Sequence, residues 1–150
     1  EPVSNPVILI DDADVTIAPT GAVRVKDSVR AVAILGDYSG TFSNEGAISS
    51  ESSGGSSGLD VAVGVSFSGD VLAGGKIVND GSVSATADSN VVARAAAYTI
   101  SGDLSGSLFN SGEISASANA GLDADAFGVF VGGKTQGDLT NEGIVSATAS

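Results

Sequence analysis

One short motif recurs along this chain, and its recurrence restricts the possible folds more than any other feature. It consists of an apolar residue, a spacer, usually Asn, a spacer, Gly, a spacer, and then Ile or Val. Four copies are regular and occupy residues 42–48, 77–83, 108–114 and 139–145. A degenerate first copy at 17–23 has Pro19 where the others have Asn. Self-similarity with a period of about 20–50 residues indicates a repeat architecture.

The glycine of the motif sets the period. Successive motif glycines are separated by 25, 35, 31 and 31 residues, for Gly21, Gly46, Gly81, Gly112 and Gly143. The residues after each motif alternate small apolar with hydroxyl side chains, as in Ser115-Ala116-Ser117-Ala118. An alternation of period two is typical of a half-buried strand and not of a helix.

Two further segments complete each repeat. A strand-like apolar segment is found at 29–34, 61–65, 92–100 and 124–131. A Gly-containing corner follows, where 36–40 aligns with 102–106, and 69–71 and 137–139 resemble them loosely. A short third strand then leads to the next Asn. Three strands and three turns in about 31 residues predict one coil of a parallel β-helix. An antiparallel sandwich is the alternative, but it gives no reason for the repeat.

The predicted fold is therefore all-β, a parallel β-helix (β-solenoid) with about 31 residues per coil and roughly five coils. Residues 1–14 form an N-terminal strand or capping segment, and 15–150 form the repeats, with a Gly- and Ser-rich loop insertion at 51–58. We expect small Ala and Ser side chains on one inner wall to face Val, Ile and Phe on the others. Stacked motif corners would place one amide ladder along the solenoid. Its members are Asn44, Asn79, Asn110 and Asn141.

The phase of the motif also assigns an inside and an outside. The apolar residues two before and four after each Asn are predicted to line one interior: Phe42, Ile77, Leu108, Leu139, Ile48, Val83, Ile114 and Val145. The residues five after each Asn are predicted to form a solvent-facing row: Ser49, Ser84, Ser115 and Ser146.

Composition excludes several function classes. The chain has no Cys and no His, so it offers neither a disulfide framework nor a thiolate or imidazole for catalysis or metal binding. Its 18 acidic and 6 basic residues give a net charge of −12, which argues against nucleic acid and anionic lipid as partners. No segment approaches the about 20 apolar residues of a membrane span, so no membrane insertion is expected. Because the chain begins at Glu1 and shows no signal peptide, we expect a mature or trimmed polypeptide.

Candidates for a chemical site are few. Asp11, Asp12 and Asp14 form one acidic cluster, and Asp123 and Asp125 form an Asp-x-Asp pair. Either would contribute oxygen ligands to Ca²⁺, but neither has the spacing of a complete calcium loop, so the sequence leaves calcium binding open. Paired carboxylates also serve glycoside cleavage, but nothing gathers them with aromatic residues into a groove. We expect no catalytic residue, no cofactor and no metal site.

The repeats resemble those of a known class of proteins. The segments Asn44-Glu45-Gly46-Ala47-Ile48-Ser49 and Asn110-Ser111-Gly112-Glu113-Ile114-Ser115 resemble the β-helical passenger repeats of bacterial autotransporters and related surface proteins, over roughly residues 15–150. The resemblance implies an extracellular or bacterial cell-surface location. It specifies architecture rather than function, because such passengers include adhesins, scaffolds and occasional enzymes.

The resemblance leaves two functional hypotheses. The first is a non-enzymatic structural protein whose coils form a rigid stalk or an end-to-end filament. The second is an adhesin-type module that binds a glycan or a protein through a lateral face or the 51–58 loop. An exposed aromatic or hydrophobic patch on one wall would favour the second.

Overall fold

All regular structure is β-strand in the residues that the computed structural model describes, namely 5–10, 13–27, 29–54 and 58–150. The strands follow one another with short connections. They are β1 (Val7–Ile10), β2 (Val15–Ile17), β3 (Ala22–Lys26), β4 (Arg30–Leu35), β5 (Thr41–Asn44), β6 (Ala47–Ser53), β7 (Leu59–Phe67), β8 (Lys76–Asn79), β9 (Ser82–Ser89), β10 (Val92–Ile100), β11 (Ser107–Asn110), β12 (Glu113–Ala120), β13 (Asp123–Val131), β14 (Asp138–Asn141) and β15 (Ile144–Ala149).

Each strand of an inner coil pairs with the strands three places before and three places after it in the chain, so the chain winds through three parallel sheets. The first sheet has the order β1-β4-β7-β10-β13, the second β2-β5-β8-β11-β14, and the third β3-β6-β9-β12-β15. Each sheet thus takes one strand from each successive coil. The registers place equivalent motif residues side by side, for example Ile48 beside Val83 and Ile114 beside Val145. The predicted parallel β-solenoid is confirmed.

The wide part of the coil interior holds the large side chains. The predicted inward positions Phe42, Ile77 and Ile114 are fully buried, and Phe67 packs against both Tyr38 and Phe42, with ring centroids 5.4 and 6.0 Å away. Burying an aliphatic or aromatic side chain of this size stabilises a fold by about 1.5–3 kcal/mol. Because each coil repeats these positions, the stack forms one continuous core.

A second, narrow part of the interior is lined by alanine on both sides. Ala85, Ala87, Ala116 and Ala118 of the third sheet face alanines of the first sheet. The sequence-based expectation that the small side chains face Val, Ile and Phe is therefore wrong. With methyl groups on both walls, the two sheets approach closely and leave no void for larger side chains.

The two parts of the interior meet where the first sheet changes phase. In β7, Ala62 belongs to the narrow cluster, whereas Val65 and Phe67 belong to the wide core. The inward phase therefore shifts by one residue at Gly64, and the corresponding residues of β4, β10 and β13 are Ala31, Ala97 and Gly128. A Cβ atom at Gly64 would lie 2.6 Å from both Ala97 O and Val83 Cγ1. Only small residues fit this row.

The last coil departs from the predicted interior. Leu139 is 50% and Val145 45% exposed, although their counterparts in the preceding coils are buried. They occupy the predicted phase, but no described strand covers them from the C-terminal side. At the other end, β1 pairs with β4 and covers part of the core with Val7 and Leu9.

Candidate functional site

The recurring corner of the motif brings the four predicted Asn side chains into one row. Asn44 Nδ2 donates to Asn79 Oδ1 (2.8 Å), Asn79 Nδ2 to Asn110 Oδ1 (2.7 Å), and Asn110 Nδ2 to Asn141 Oδ1 (2.7 Å). The second amide hydrogen is directed at backbone carbonyls, such as those of Gly81 and Glu113 around Asn79. Both hydrogens of the buried Asn79 amide are thus satisfied, so the inner links of the row tie successive coils together without an unpaired donor.

The ladder ends at Asn44, and the first coil explains why. Ile17 pairs with Asn44, so Ile17 and not Pro19 occupies the ladder position. The sequence alignment was correct at the glycine, since Ala22 pairs with Ala47, but it missed two extra residues in the turn between Ile17 and Gly21. That turn is closed by Gly21 N–H donating to Ala18 O (2.7 Å). Ile17 offers no donor, which leaves the buried Asn44 Oδ1 without a partner.

A second ladder, which the sequence did not indicate, runs along the corner between the first and second sheets. The N–H of Asp70 donates to Asp37 Oδ1 (3.0 Å), that of Asp103 to Asp70 Oδ1 (2.8 Å), and that of Lys134 to Asp103 Oδ1 (2.7 Å). Each carboxylate therefore satisfies the backbone of the next coil. Lys134 ends the row of like charges with a cation.

This corner also corrects the alignment of the last repeat. Leu104 pairs with Thr135, so 133–135 is the counterpart of 102–104, whereas the sequence pattern had favoured 137–139. Gly137 instead stacks on Gly106, where its Cβ would overlap the Gly106 carbonyl. The sequence alignment is ambiguous because Gly133 and Gly137 are both candidates for the position of Gly102. The pairing of Leu104 with Thr135 assigns that position to Gly133.

The outer wall of the third sheet is polar. Arg24, Ser49, Ser84, Ser115 and Ser146 are in register across all five strands. The three serines in the middle are half-buried by their neighbours, and Ser146 is exposed. Hydroxyl groups on a flat sheet are readily hydrated, so this wall has the character of a solvated surface.

The outer wall of the first sheet is different, because most of its outward side chains are apolar. We call this surface the apolar wall; its carbon-rich members are Ile8, Ala33, Leu35, Leu59, Val61, Val63, Val92, Ala96, Phe127 and Phe130. Phe127 and Phe130 are 41% and 43% exposed, and their rings contact each other edge to face at 5.3 Å between centroids. Ala33, Val63 and Ala96 are at most 9% exposed, so the exposed apolar area comes chiefly from Ile8, Leu35, Leu59 and the two phenylalanines. Exposed apolar surface of this kind usually marks a contact surface.

A shallow groove of about 180 Å³ lies on the apolar wall beside the two phenylalanine rings. Its floor is formed by short side chains, Val63, Ala96 and Thr99, over which Phe127 and Phe130 stand from the adjacent strand. At its rim, Arg94 Nε lies 3.3 Å from Asp125 Oδ2. This ion pair neutralises both charges next to the groove.

A polar groove of about 490 Å³ lies where the third sheet turns into the first. Its wall contains amide, hydroxyl and carboxylate groups from three coils: Ser53, Asp60, Asp88, Ser89, Asn90 and Asn119, with Gly54, Gly58 and Val91. Asp60 is buried and accepts a hydrogen bond from Ser52 Oγ (3.3 Å). The groove borders the predicted 51–58 loop, of which residues 55–57 lie outside the described part.

The structure describes three residues of the predicted acidic clusters, namely Asp14, Asp123 and Asp125. Asp11 and Asp12 lie outside the described part, and Asp14 Oδ1 accepts the N–H of Thr41 (2.7 Å). Asp125 is paired with Arg94. Among residues 5–10, 13–27, 29–54 and 58–150, no group of three or more acidic, His or Cys side chains is placed to hold a metal ion.

One titratable side chain lies deep in the core. Tyr98 is fully buried, and its hydroxyl has no hydrogen-bond partner. Burial raises the pKa of this phenol above its usual range, because the phenolate would be desolvated. The group has no access to solvent, so we regard it as structural.

Comparison with known proteins reveals no relative. No family model, no curated protein sequence and no solved structure matches this chain. Within the described ranges, no helix is long and apolar enough to cross a membrane.

Proposed function

We propose that this chain is a non-enzymatic structural β-solenoid of an extracellular or bacterial cell surface, similar to an autotransporter passenger, and that its coils form a rigid stalk or an end-to-end filament. The observation that carries the proposal is the pair of ladders. The amides of Asn44 to Asn141 and the carboxylates of Asp37 to Asp103 bond each coil to the next along the stack. Such bonds resist bending and stretching along the axis.

The last described coil presents a surface that accepts another coil. Leu139 and Val145 are half-exposed there, at positions that are buried wherever a further coil follows. In a head-to-tail contact between two copies, the first-coil residues Val15 and Val23 occupy the equivalent rows and would cover them. Asn141 Nδ2 donates to Gly143 O (3.2 Å), which satisfies one of its two amide hydrogens. Ile17 cannot accept the other hydrogen, so the joint would lack the amide bond that links the inner coils and would be held by its apolar rows and backbone pairing.

A heterologous contact of this kind propagates into an open filament. Light scattering and negative-stain electron microscopy on the 150-residue chain test it, with Val145→Asp as the blocking variant and Ser146→Asp as the matched control. Both variants add one carboxylate to β15, but only the first buries it at the joint. We expect open-ended assemblies from wild type and Ser146→Asp, and none from Val145→Asp. A wild-type chain that forms no open-ended assembly over a wide range of concentrations contradicts the filament.

Two surfaces favour a second candidate function, an adhesin-type module that binds a glycan or a protein through a lateral face. One is the apolar wall with its exposed phenylalanines, the feature expected of such a module, and the other is the polar groove, which suits a glycan. Carboxylate, amide and hydroxyl groups from several coils converge there, and such groups hydrogen-bond sugar hydroxyls. A glycan array on wild type and on the double variant Asn90→Val/Asn119→Val tests it, with Ser84→Val on the third sheet as the control. Binding that the double variant loses and the control keeps supports the adhesin. Absence of binding to any glycan rejects the glycan-binding form of this candidate.

A further inference from the structure

We infer that the apolar wall is a lateral interface between two copies of this chain, related by a two-fold axis that runs along β10. The wall carries both a protrusion and a recess. Phe127 and Phe130 protrude from β13, and the groove over Val63, Ala96 and Thr99 lies one to two strands away. A rotation about β10 places β13 of each copy over β7 of the other.

This arrangement matches large side chains with small ones. Phe127 would face the row of Val63 and Ala96, and Phe130 would face the row of Ser66 and Thr99, because the strand direction is kept by the rotation. Each copy then fills the groove of its partner with an aromatic ring. A two-fold contact of this kind is self-complementary and closes after two copies.

The apolar wall carries few charged side chains, so few charges have to lose their water when the wall is covered. Its outward charged side chains in the described strands are Arg30, Arg94, Asp123 and Asp125, and Arg94 is already paired with Asp125. Most of the net charge of −12 lies elsewhere, for example along the Asp37 to Asp103 corner. The acidic residues outside the wall therefore cause two copies to repel each other at a distance, whereas the apolar walls stabilise the contact once the copies meet.

The size of the contact sets its strength. Three strands of nine residues cover roughly 14 by 30 Å, which with the protruding rings buries on the order of 1,000 Å² in total. This value is at the lower limit for a specific interface, below the about 1,600 Å² of a standard one. A weak, concentration-dependent dimer in the micromolar range is expected, and it does not require the end-to-end contact of the proposed filament.

Sedimentation equilibrium of the 150-residue chain tests the dimer, with the double variant Phe127→Ser/Phe130→Ser. Loss of two aromatic anchors should weaken association by at least about thirty-fold, as for hot-spot residues. Val145→Asp, which blocks stacking of coils, should leave the dimer unchanged. The dimer should also strengthen at high salt, because screening shortens from about 10 Å at 0.1 M to about 3 Å at 1 M and reduces the repulsion between two chains of charge −12.

Two further variants keep the test decisive. If the double variant does not fold, Thr99→Arg places a charge on the axis and should abolish the dimer by itself. The chain has no Cys, so Thr99→Cys can be cross-linked without side reactions, and it should give a covalent dimer, whereas Ser115→Cys on the third sheet should not. A chain that is monomeric at all concentrations overturns the inference, and so does an apolar wall that binds another protein but not a second copy of this chain. So does a dimer that survives both Phe127→Ser/Phe130→Ser and Thr99→Arg, or one that only Val145→Asp removes.

Discussion

The buried amide ladder predicts that replacing the side-chain NH₂ group of Asn79 by an oxygen strongly destabilises the fold. In Asn79→Asp, the oxygen that accepts from Asn44 is kept, but the donating NH₂ group is replaced by an oxygen. That oxygen would face Asn110 Oδ1 at 2.7 Å, Glu113 O at 3.2 Å and Gly81 O at 3.4 Å, which are all acceptors. The substitution thus changes almost no volume and reverses one set of hydrogen bonds.

The magnitude follows from the contacts that are lost. Two good hydrogen bonds disappear and leave buried acceptors unpaired, at about 1–3 kcal/mol each, and the carboxylate itself is buried. We expect a loss of roughly 4–6 kcal/mol at pH 7, a large share of the about 5–15 kcal/mol that stabilises a typical domain. Burial favours the neutral acid, so the pKa of this carboxyl should be raised. Its penalty is then present above the unfolded pKa of about 4 and is relieved as the pH falls, when a protonated Asp can donate again.

Urea unfolding followed by circular dichroism at pH 7 and pH 4 measures both effects. Asn119→Asp is the matched control, because it makes the same chemical change at an exposed position of β12. Its carboxylate would lie beside Asp88 of β9, so it should lower stability by no more than about 1 kcal/mol. Equal losses in the two variants, or a loss in Asn79→Asp that does not decrease at pH 4, would contradict the assigned hydrogen bonds of the ladder.

Three other substitutions test the interior. Ala116→Phe should cost roughly 1–3 kcal/mol or prevent folding, because it overpacks the narrow alanine-lined part, whereas Ser115→Lys on the adjacent outward position should cost about 0.5 kcal/mol; similar thermal shifts would contradict the inside-outside assignment. Gly112→Ala should lower the melting temperature, since its Cβ would overlap the Gly81 carbonyl, and an unchanged melting temperature would mean that the corners are less tightly stacked. Burial raises the pKa of Tyr98 above its unfolded value of about 10, so above that pH the unfolded chain loses the phenol proton while the folded chain keeps it. The free energy of unfolding should therefore be unaffected below about pH 10 and fall above it by up to about 1.4 kcal/mol per pH unit. Tyr98→Phe should reduce this alkaline loss in pH-dependent unfolding, and a pH profile identical to that of wild type would contradict the assignment.

The repeats predicted the solenoid because one motif carries both the corner and the inward positions. Asn, Gly and the flanking aliphatic residues recur at a fixed phase, so their stacking follows from the period alone. The first and last repeats could not be aligned correctly with the others from the sequence. Extra residues before Gly21 and a second glycine near Gly137 moved the alignment, and only strand pairing shows which residue lies beside which.

The apolar wall was not predictable for a more physical reason. Phe127 and Phe130 are three residues apart, which in a regular strand would place them on opposite faces. The phase shift at Gly128 puts both outside. The shift is required where the narrow and wide parts of the interior meet, and it depends on the other two sheets. Local alternation therefore fails at this row of small residues, while the motif itself is unaffected.

The stacking of the coils in register, as one rigid body, can be measured as a set of distances between spin labels. Arg24, Ser115 and Ser146 lie on one outward row of the third sheet, and the two serines are three and four strand spacings from Arg24. Labels at 24 and 115, and at 24 and 146, should give narrow distributions whose backbone separations are about 14 and 19 Å, so that one added coil adds about 4.8 Å. Broad distributions, or a separation for 24 and 146 that is not one strand spacing longer than that for 24 and 115, would contradict the stacked solenoid.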